Sequence, residues 1–121
     1  MDCLFCKIIN NEIPSYTIYE DENVKCFLDI NPIENGHTLI IPKKHFTDIN
    51  DIDKETILNV FEASKKVIEI INNGLHPDGI KLTQNNGCIQ DVKHFHLHVI
   101  PKYKENTSKE NVEDVFNKLT K

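Results

Sequence analysis

Three of the six histidines in the chain, His94, His96 and His98, stand at every second position of the stretch HFHLHVIP. Side chains of a β-strand alternate between its two faces, so in a strand these imidazoles share one face and the apolar residues between them share the other. A neutral imidazole can attack phosphorus, and a second one nearby can carry a proton to or from the leaving group. The spacing therefore predicts a chemical site, and displacement at phosphorus is one reaction that such imidazoles could carry out.

Metal binding is the alternative use of clustered histidines. Strand rise places His94 and His98 about 13 Å apart along the backbone, so the convergence of all three on one ion is strained. Two neighbours could share a metal, or the three could have separate tasks. A lone histidine on a sheet face is more often a satisfied polar residue than a catalyst, but three on one face favour chemistry.

The cysteines give a second candidate site. Cys3 and Cys6 form a C-x2-C pair, which is half of a structural zinc site, or else two reduced thiols on a helix face. Cys26 and Cys88 have no partner pattern and are interpreted as small buried or loop residues. Nothing in the sequence points to secretion, so disulfides are not expected.

Charge and hydropathy exclude several classes of function. The net charge is −5, and the lysines form isolated pairs such as Lys43 and Lys44 rather than a basic stripe, which argues against nucleic-acid binding. No apolar run reaches the roughly 18 residues that cross a bilayer, and the first residues include an acid where a signal peptide has bases. We therefore expect no membrane partner and a cytoplasmic location.

The elements that must position these residues follow from periodicity. A long helix is predicted between Asp53, its N-cap, and Asn73, with NNG as its stop. Strands are predicted for YTIYE, VKCFLDI, HTLIIP, IKLTQN and HFHLHVIP, and Pro42 and Pro101 should end the third and the last of them. Shorter helices are predicted for LFCKIINN and KENVEDVFNKL. This order indicates an α+β fold with a mainly antiparallel sheet, in one domain over residues 1–121.

The stretch HFHLHVI resembles the histidine triad signature of the HIT superfamily. It is joined by FLDINPIENGHTLIIPKKH at residues 27–45 and by CLFCKIINNEIPSYTIYEDE at the start, so the likeness spans about residues 3–103 and is similar to the Hint branch. The resemblance implies a HIT-like fold with a five-stranded sheet, one long helix and a short N-terminal helix, assembled as a homodimer. Residues 104–121 would form a C-terminal tail.

The activity implied by the resemblance is that of a purine nucleotide hydrolase or nucleoside phosphoramidase, acting at the α-phosphate of AMP or GMP derivatives. His96 would attack and form a covalent nucleotidyl-histidine, which water then hydrolyses. His98 would contact the phosphate and help proton transfer, and His37 would lie near His96 and tune it. The alternative is a nucleotide-binding or scaffold protein of the same fold with little turnover.

The resemblance also assigns the nucleotide contacts. Asp29 would hold the ribose hydroxyls and Ile30 would lie beside the base, while Asn85 and Gln90 would surround the phosphate. A carboxylate accepts two hydroxyl donors, and an amide can donate to a phosphoryl oxygen without adding charge. By local pattern alone, Asp29 is equally well a turn acid before Pro32, and the two amides are ordinary loop residues.

Two further points follow from the resemblance. Relatives with the N-terminal cysteine pair bind zinc with two histidines as well, and the matching positions His45 and His94 would complete a closed structural site with Cys3 and Cys6. Asp91 stands where a serine is expected beside the phosphate. Either it points away, or it favours leaving groups that bear a cation, or activity is low.

Overall fold

Five strands and three helices make up the fold. The computed structural model describes residues 3–121. Its elements, in chain order, are α1 (Leu4–Ile9), β1 (Thr17–Glu20), β2 (Val24–Leu28), β3 (Thr38–Pro42), α2 (Lys54–Leu75), β4 (Gly79–Thr83), a 3-10 turn (Gly87–Ile89), β5 (Leu97–Lys102) and α3 (Val112–Leu119). The predicted α+β class is confirmed. No helix of the described residues is long and apolar enough to cross a membrane.

The sheet places the histidine strand in its interior. The strand order is β1-β2-β3-β5-β4, and all neighbouring strands are antiparallel. His98 pairs with Leu39 of β3. Directly opposed residues point to the same face of a sheet, so His98 shares the face of Leu39.

The two faces of the sheet are covered by different helices. Alternate side chains of β3 therefore face different helices. Ile40 packs in the cluster that includes α2, whereas Leu39 and Ile41 pack in the cluster that includes α1. The triad's apolar residues belong to the α2 side; they are Phe95, Leu97 and Val99. The long helix thus fills the main core, and the short N-terminal helix lies on the face that holds His98.

The ends of α2 agree in part with the prediction. Asp53 is the N-cap, and its side chain accepts a hydrogen bond from the Thr56 backbone N–H at 3.0 Å. The predicted stop at NNG is wrong, because the helix continues to Leu75 and His76 caps it in the left-handed region at φ 51°. Gly74 lies inside the helix, where a Cβ would meet Leu119 of α3 at 2.9 Å. Gly74 therefore does not end α2; its lack of a side chain allows α3 to pack closely against α2.

The last strand also differs from the prediction. β5 begins at Leu97, so His94 and His96 precede it in irregular backbone, and it continues past Pro101 to Lys102. The missing N–H of Pro101 leaves no gap in the β3 ladder, because β3 pairs with β5 only as far as Val99. Beyond that point β5 pairs with β4 alone.

Candidate active site

A cavity of about 530 Å³ opens on the sheet face that carries α1. His96 and His98 line it, together with Asp29, Ile30 and Asp91. Asp91 is exposed where it lines the cavity. Five positions singled out from the sequence are therefore gathered around one cavity.

The rest of the lining is mostly apolar and comes from α1, the segment after it, and the central strands. These apolar side chains are Leu4, Phe5, Ile8, Ile13, Phe27, Leu28, Leu39 and Val92. Apolar walls with a few polar groups at one end are typical of pockets for small molecules with a ring. The sequence prediction assigned no role to any of these eight side chains.

His96 is held as a neutral imidazole with a defined tautomer. Its side chain is 3% exposed, and its Nδ1 lies 2.7 Å from the backbone oxygen of His94. A carbonyl oxygen only accepts, so Nδ1 carries the hydrogen and Nε2 has a free lone pair. Burial lowers the pKa of His96, although the hydrogen bond to His94 and the charges of Asp91 and Asp29 oppose the shift. The arrangement suits a nucleophile.

His37 fixes the tautomer of His98 through a short chain of hydrogen bonds. The backbone N–H of Ile33 donates to His37 Nδ1 at 3.1 Å, which leaves the hydrogen on His37 Nε2. That N–H donates to His98 Nδ1 at 3.0 Å, so His98 carries its own hydrogen on Nε2. The ring that His37 contacts is that of His98, and an influence of His37 on His96 stays a prediction.

Burial keeps this second histidine pair neutral as well. It lowers the pKa of His98 to about 4, and the neighbouring His96 and His37 add to the shift. Burial also lowers the pKa of His37, with Asp29 opposing. His98 therefore offers a neutral N–H rather than a fixed positive charge.

One carboxylate oxygen of Asp29 accepts a hydrogen bond within a turn, and the other does not take part in that turn. Its Oδ1 accepts from the Asn31 backbone N–H at 2.8 Å, and its Oδ2 lies 3.7 Å from His37 Nε2. The interpretation as a turn acid is thus confirmed, and the ribose contact stays a prediction. Asp29, His37 and His98 are close enough to suggest a metal site, but the hydrogen on His37 Nε2 occupies the position that a metal would need.

Four side chains that were assigned to zinc from the resemblance converge on the other side of α1. The ligand atoms of Cys3, Cys6, His45 and His94 all lie within 4.8 Å of one another. Sulfur to Nδ1 distances are 3.4 Å for Cys3–His94, 3.3 Å for Cys6–His45 and 3.6 Å for Cys6–His94. Tetrahedral zinc with ordinary bond lengths separates such ligands by roughly 3.5 Å, so the cluster fits that ion.

The protonation states of the cluster also suit a metal. His94 Nε2 donates to the Pro42 carbonyl at 2.8 Å, which turns the lone pair of Nδ1 toward the sulfurs. Burial lowers the pKa of His94 to about 4 and raises that of the Cys6 thiol to about 11. A cation would have to displace the thiol protons, as is usual for thiolate sites. Four protein ligands form a closed, structural type of site.

The remaining predicted contacts are not brought to the cavity. Neither Asn85 nor Gln90 belongs to its lining. Gln90 is buried and donates from Nε2 to the Thr47 carbonyl at 2.7 Å, while its Oε1 has no hydrogen-bond partner among the described residues. The Asn85 backbone carbonyl accepts from Gln84. A role for either amide at the phosphate stays a prediction.

Phe5 is the main residue that the sequence analysis missed. Its ring contacts the rings of His94 and His96 at centroid distances of 5.9 and 5.0 Å, edge to face. The available signal was its position between Cys3 and Cys6, which places it at any site that those thiols build.

The comparisons with known proteins agree with this geometry. The family model described as the HIT domain matches residues 10–105. The uncharacterized HIT-like protein MJ0866 of Methanocaldococcus jannaschii is 46% identical over 103 residues, which are 84% of this chain and 79% of that protein. Adenosine 5'-monophosphoramidase HNT1 of Candida albicans is 40% identical, over 87% of this chain and 73% of that protein. A zinc-bound histidine triad family protein from Mycobacterium smegmatis superposes with a TM-score of 0.90 at 35% identity, covering 99% of this chain and 91% of that one.

Proposed function

The chain belongs to the HIT domain family, and from that premise we propose that it hydrolyses purine nucleoside phosphoramidates and related nucleotide derivatives at the α-phosphate. Nucleotide hydrolysis at the family level is supported by relatives that are adenosine 5'-monophosphoramidases. The finer assignment concerns the bond that breaks and the residues that break it.

The observation that supports the proposal most strongly is the pair of opposite tautomers in the cavity. His96 has a free lone pair on Nε2, and His98 has a hydrogen on Nε2. One imidazole is thus prepared to attack phosphorus, and its neighbour is prepared to donate to a phosphoryl oxygen or to the leaving amine. Their ring centroids are 4.9 Å apart, within reach of one phosphoryl group.

The proposed reaction has two displacements. His96 Nε2 attacks the α-phosphorus and the bond to the leaving amine breaks, with His98 assisting the proton transfer. Water then attacks the nucleotidyl-histidine and releases the nucleoside monophosphate. The negative charge of the bound phosphoryl group favours a proton on His98 and so opposes the effect of burial on its pKa.

The cavity walls support a purine nucleotide as the substrate. The apolar lining accommodates a base beside Ile30, and the second oxygen of Asp29 is available to the ribose hydroxyls. Asn85 and Gln90, which lie outside the cavity lining, remain the predicted contacts of the phosphate. Zinc, where it binds, would supply structural cross-linking at Cys3, Cys6, His45 and His94, outside the reaction.

Turnover of an adenosine phosphoramidate with a fluorescent amine tests the proposal. We expect wild type to release AMP, and His96→Ala to lose at least about a thousandfold in kcat while still binding AMP. Undiminished turnover in His96→Ala would refute the assignment of the nucleophile.

A second candidate is a nucleotide-binding protein with little turnover. Asp91 favours it, because a carboxylate at the cavity rim repels a phosphoryl group, although its exposure to water weakens the repulsion. Wild type that binds AMP but does not release it from the phosphoramidate would select this function.

A further inference from the structure

Phe5 lies between the metal cluster and the candidate nucleophile. It is 4% exposed and belongs to the first turn of α1, between Cys3 and Cys6. Its ring meets His96 at an interplanar angle of 88° and His94 at 72°, so one side chain contacts a predicted metal ligand and the attacking residue. Edge-to-face pairs of this kind fix the relative orientation of the rings.

The helix that holds Phe5 depends on anchors at its two ends. α1 has six residues, too few to be stable by itself. At its C-terminal end, the ammonium group of Lys25, which is 3% exposed, donates to the Ile8 carbonyl at 2.9 Å and to Asn11 Oδ1 at 3.0 Å. At its N-terminal end the anchor is the cluster that contains Cys3 and Cys6.

The strength of the N-terminal anchor depends on whether a metal is bound. Without an ion, the cysteines make only weak sulfur hydrogen bonds, such as Cys6 to His45 at 3.3 Å. A zinc ion would replace them with four coordinate bonds that join α1 to His45 and His94. The position of Phe5 is therefore held more firmly in the metal-loaded protein.

We propose that metal binding at the cluster and nucleotide binding in the cavity are coupled through Phe5, which acts as a positioning residue for His96. The inference rests on the proposed function in so far as the cavity binds a nucleotide. Phe5 forms part of the apolar wall beside Leu4 and Ile8, so its immobilisation prepares both the wall and the nucleophile before the nucleotide arrives.

Coupling between two binding sites is reciprocal. If zinc tightens AMP binding by some factor, AMP must tighten zinc binding by the same factor. We expect about tenfold in each direction, within the usual range for coupled sites. Reciprocity gives a readout that needs no catalytic activity.

The experiment measures both binding equilibria, that of AMP and that of zinc, on the 121-residue chain. Calorimetric titration gives the Kd of AMP for the zinc-loaded and the metal-free protein, and competition with a chromogenic chelator gives the Kd of zinc with and without AMP. In Phe5→Leu we expect zinc to bind, but the coupling factor to fall below about twofold. Phe61→Leu makes the same exchange on α2, outside the cavity lining and the cluster, and should keep the full factor.

The outcomes separate the inference from the proposed function. Equal AMP affinities of folded zinc-loaded and metal-free protein would overturn the coupling and leave the proposed function intact. A lack of AMP binding by both forms would overturn both, and a lack of zinc binding would overturn the coupling alone. Should the metal-free protein unfold, zinc-loaded Phe5→Leu decides: an unchanged AMP Kd with unshifted His96 ring signals in NMR spectra would refute the role of Phe5.

Discussion

Backbone groups fix the positions of the protons on the active-site imidazoles. The carbonyl of His94 holds the hydrogen of His96 on Nδ1, and the Ile33 N–H acts through His37 to hold that of His98 on Nε2. Both backbone contacts are present in the protein without substrate, so the two imidazoles hold opposite tautomers in advance of binding.

Replacement of His37 tests this chain of hydrogen bonds. In His37→Asn the donor to His98 Nδ1 is displaced, His98 can adopt either tautomer, and we expect kcat to fall by on the order of a hundredfold with little change in the Kd of AMP. His76→Asn is the matched control, since Asn tolerates the left-handed cap position of α2. A kcat for His37→Asn equal to that of the control would contradict the account.

The depressed pKa of His98 predicts how stability depends on pH. Because the folded pKa of about 4 lies below the ordinary value of 6.5, the unfolded chain binds more protons in acid. The contribution of His98 to the free energy of unfolding is therefore fully present above pH 6.5 and is lost as the pH falls toward 4. Denaturant melts of wild type and His98→Asn should therefore diverge over this interval, with the steeper loss in wild type. Parallel curves would mean that His98 does not contribute.

Residue types and spacing indicated the chemistry here, but not the protonation. The spacing of His94, His96 and His98 predicted that the three imidazoles share one face and favour chemistry, and the resemblance assigned the reaction and the residue roles. The tautomers depend on which backbone atom faces each ring nitrogen, and this follows only from the folded loops around Ile33 and His94.

The observed ends of the helices and strands differ from those that local sequence signals predict, because tertiary contacts determine them. Glycine is a common stop signal for helices, yet α2 continues through Gly74 because α3 packs on it. Proline is a common stop for strands, yet Pro101 is tolerated where β3 no longer pairs. The existence and order of the elements were predictable, since they follow from hydrophobic periodicity; their ends depend on neighbours distant in sequence.

Gly74→Ala measures the contact between α2 and α3. A Cβ would lie 2.9 Å from Leu119 Cδ2 and 3.0 Å from the Lys118 carbonyl, so α3 must shift. We expect the free energy of unfolding to fall by about 1–3 kcal/mol, despite the better helix propensity of alanine. Gly79→Ala on β4, where nothing lies within 4 Å, should be nearly neutral. Equal stabilities in denaturant melts of the two variants would argue against the packing role.

The two faces of the sheet differ in what they carry. Helix α2 covers the face that forms the main core, while α1 covers the face that holds the cavity and the metal cluster. The sequence predicted the histidine site and the metal ligands as separate features. Only the fold shows that α1 connects the two.

Assembly is predicted at the same scale. The edge strand β4 exposes Leu82, and α2 exposes Leu58, both large apolar side chains that a homodimer would cover. We expect light scattering to give twice the 14.0 kDa of one chain. Leu82→Lys, which places a charge on the edge, should shift the mass toward one chain. A wild-type mass of 14.0 kDa at micromolar concentration would contradict the dimer.

The stereochemical course at phosphorus tests the central claim most directly. An adenosine phosphoramidate made chiral at phosphorus with sulfur is hydrolysed in isotopically labelled water, and the configuration of the product is determined by NMR. Two in-line displacements through a nucleotidyl-His96 predict overall retention of configuration. Inversion would mean that water attacks the phosphorus directly, and that His96 is not the nucleophile.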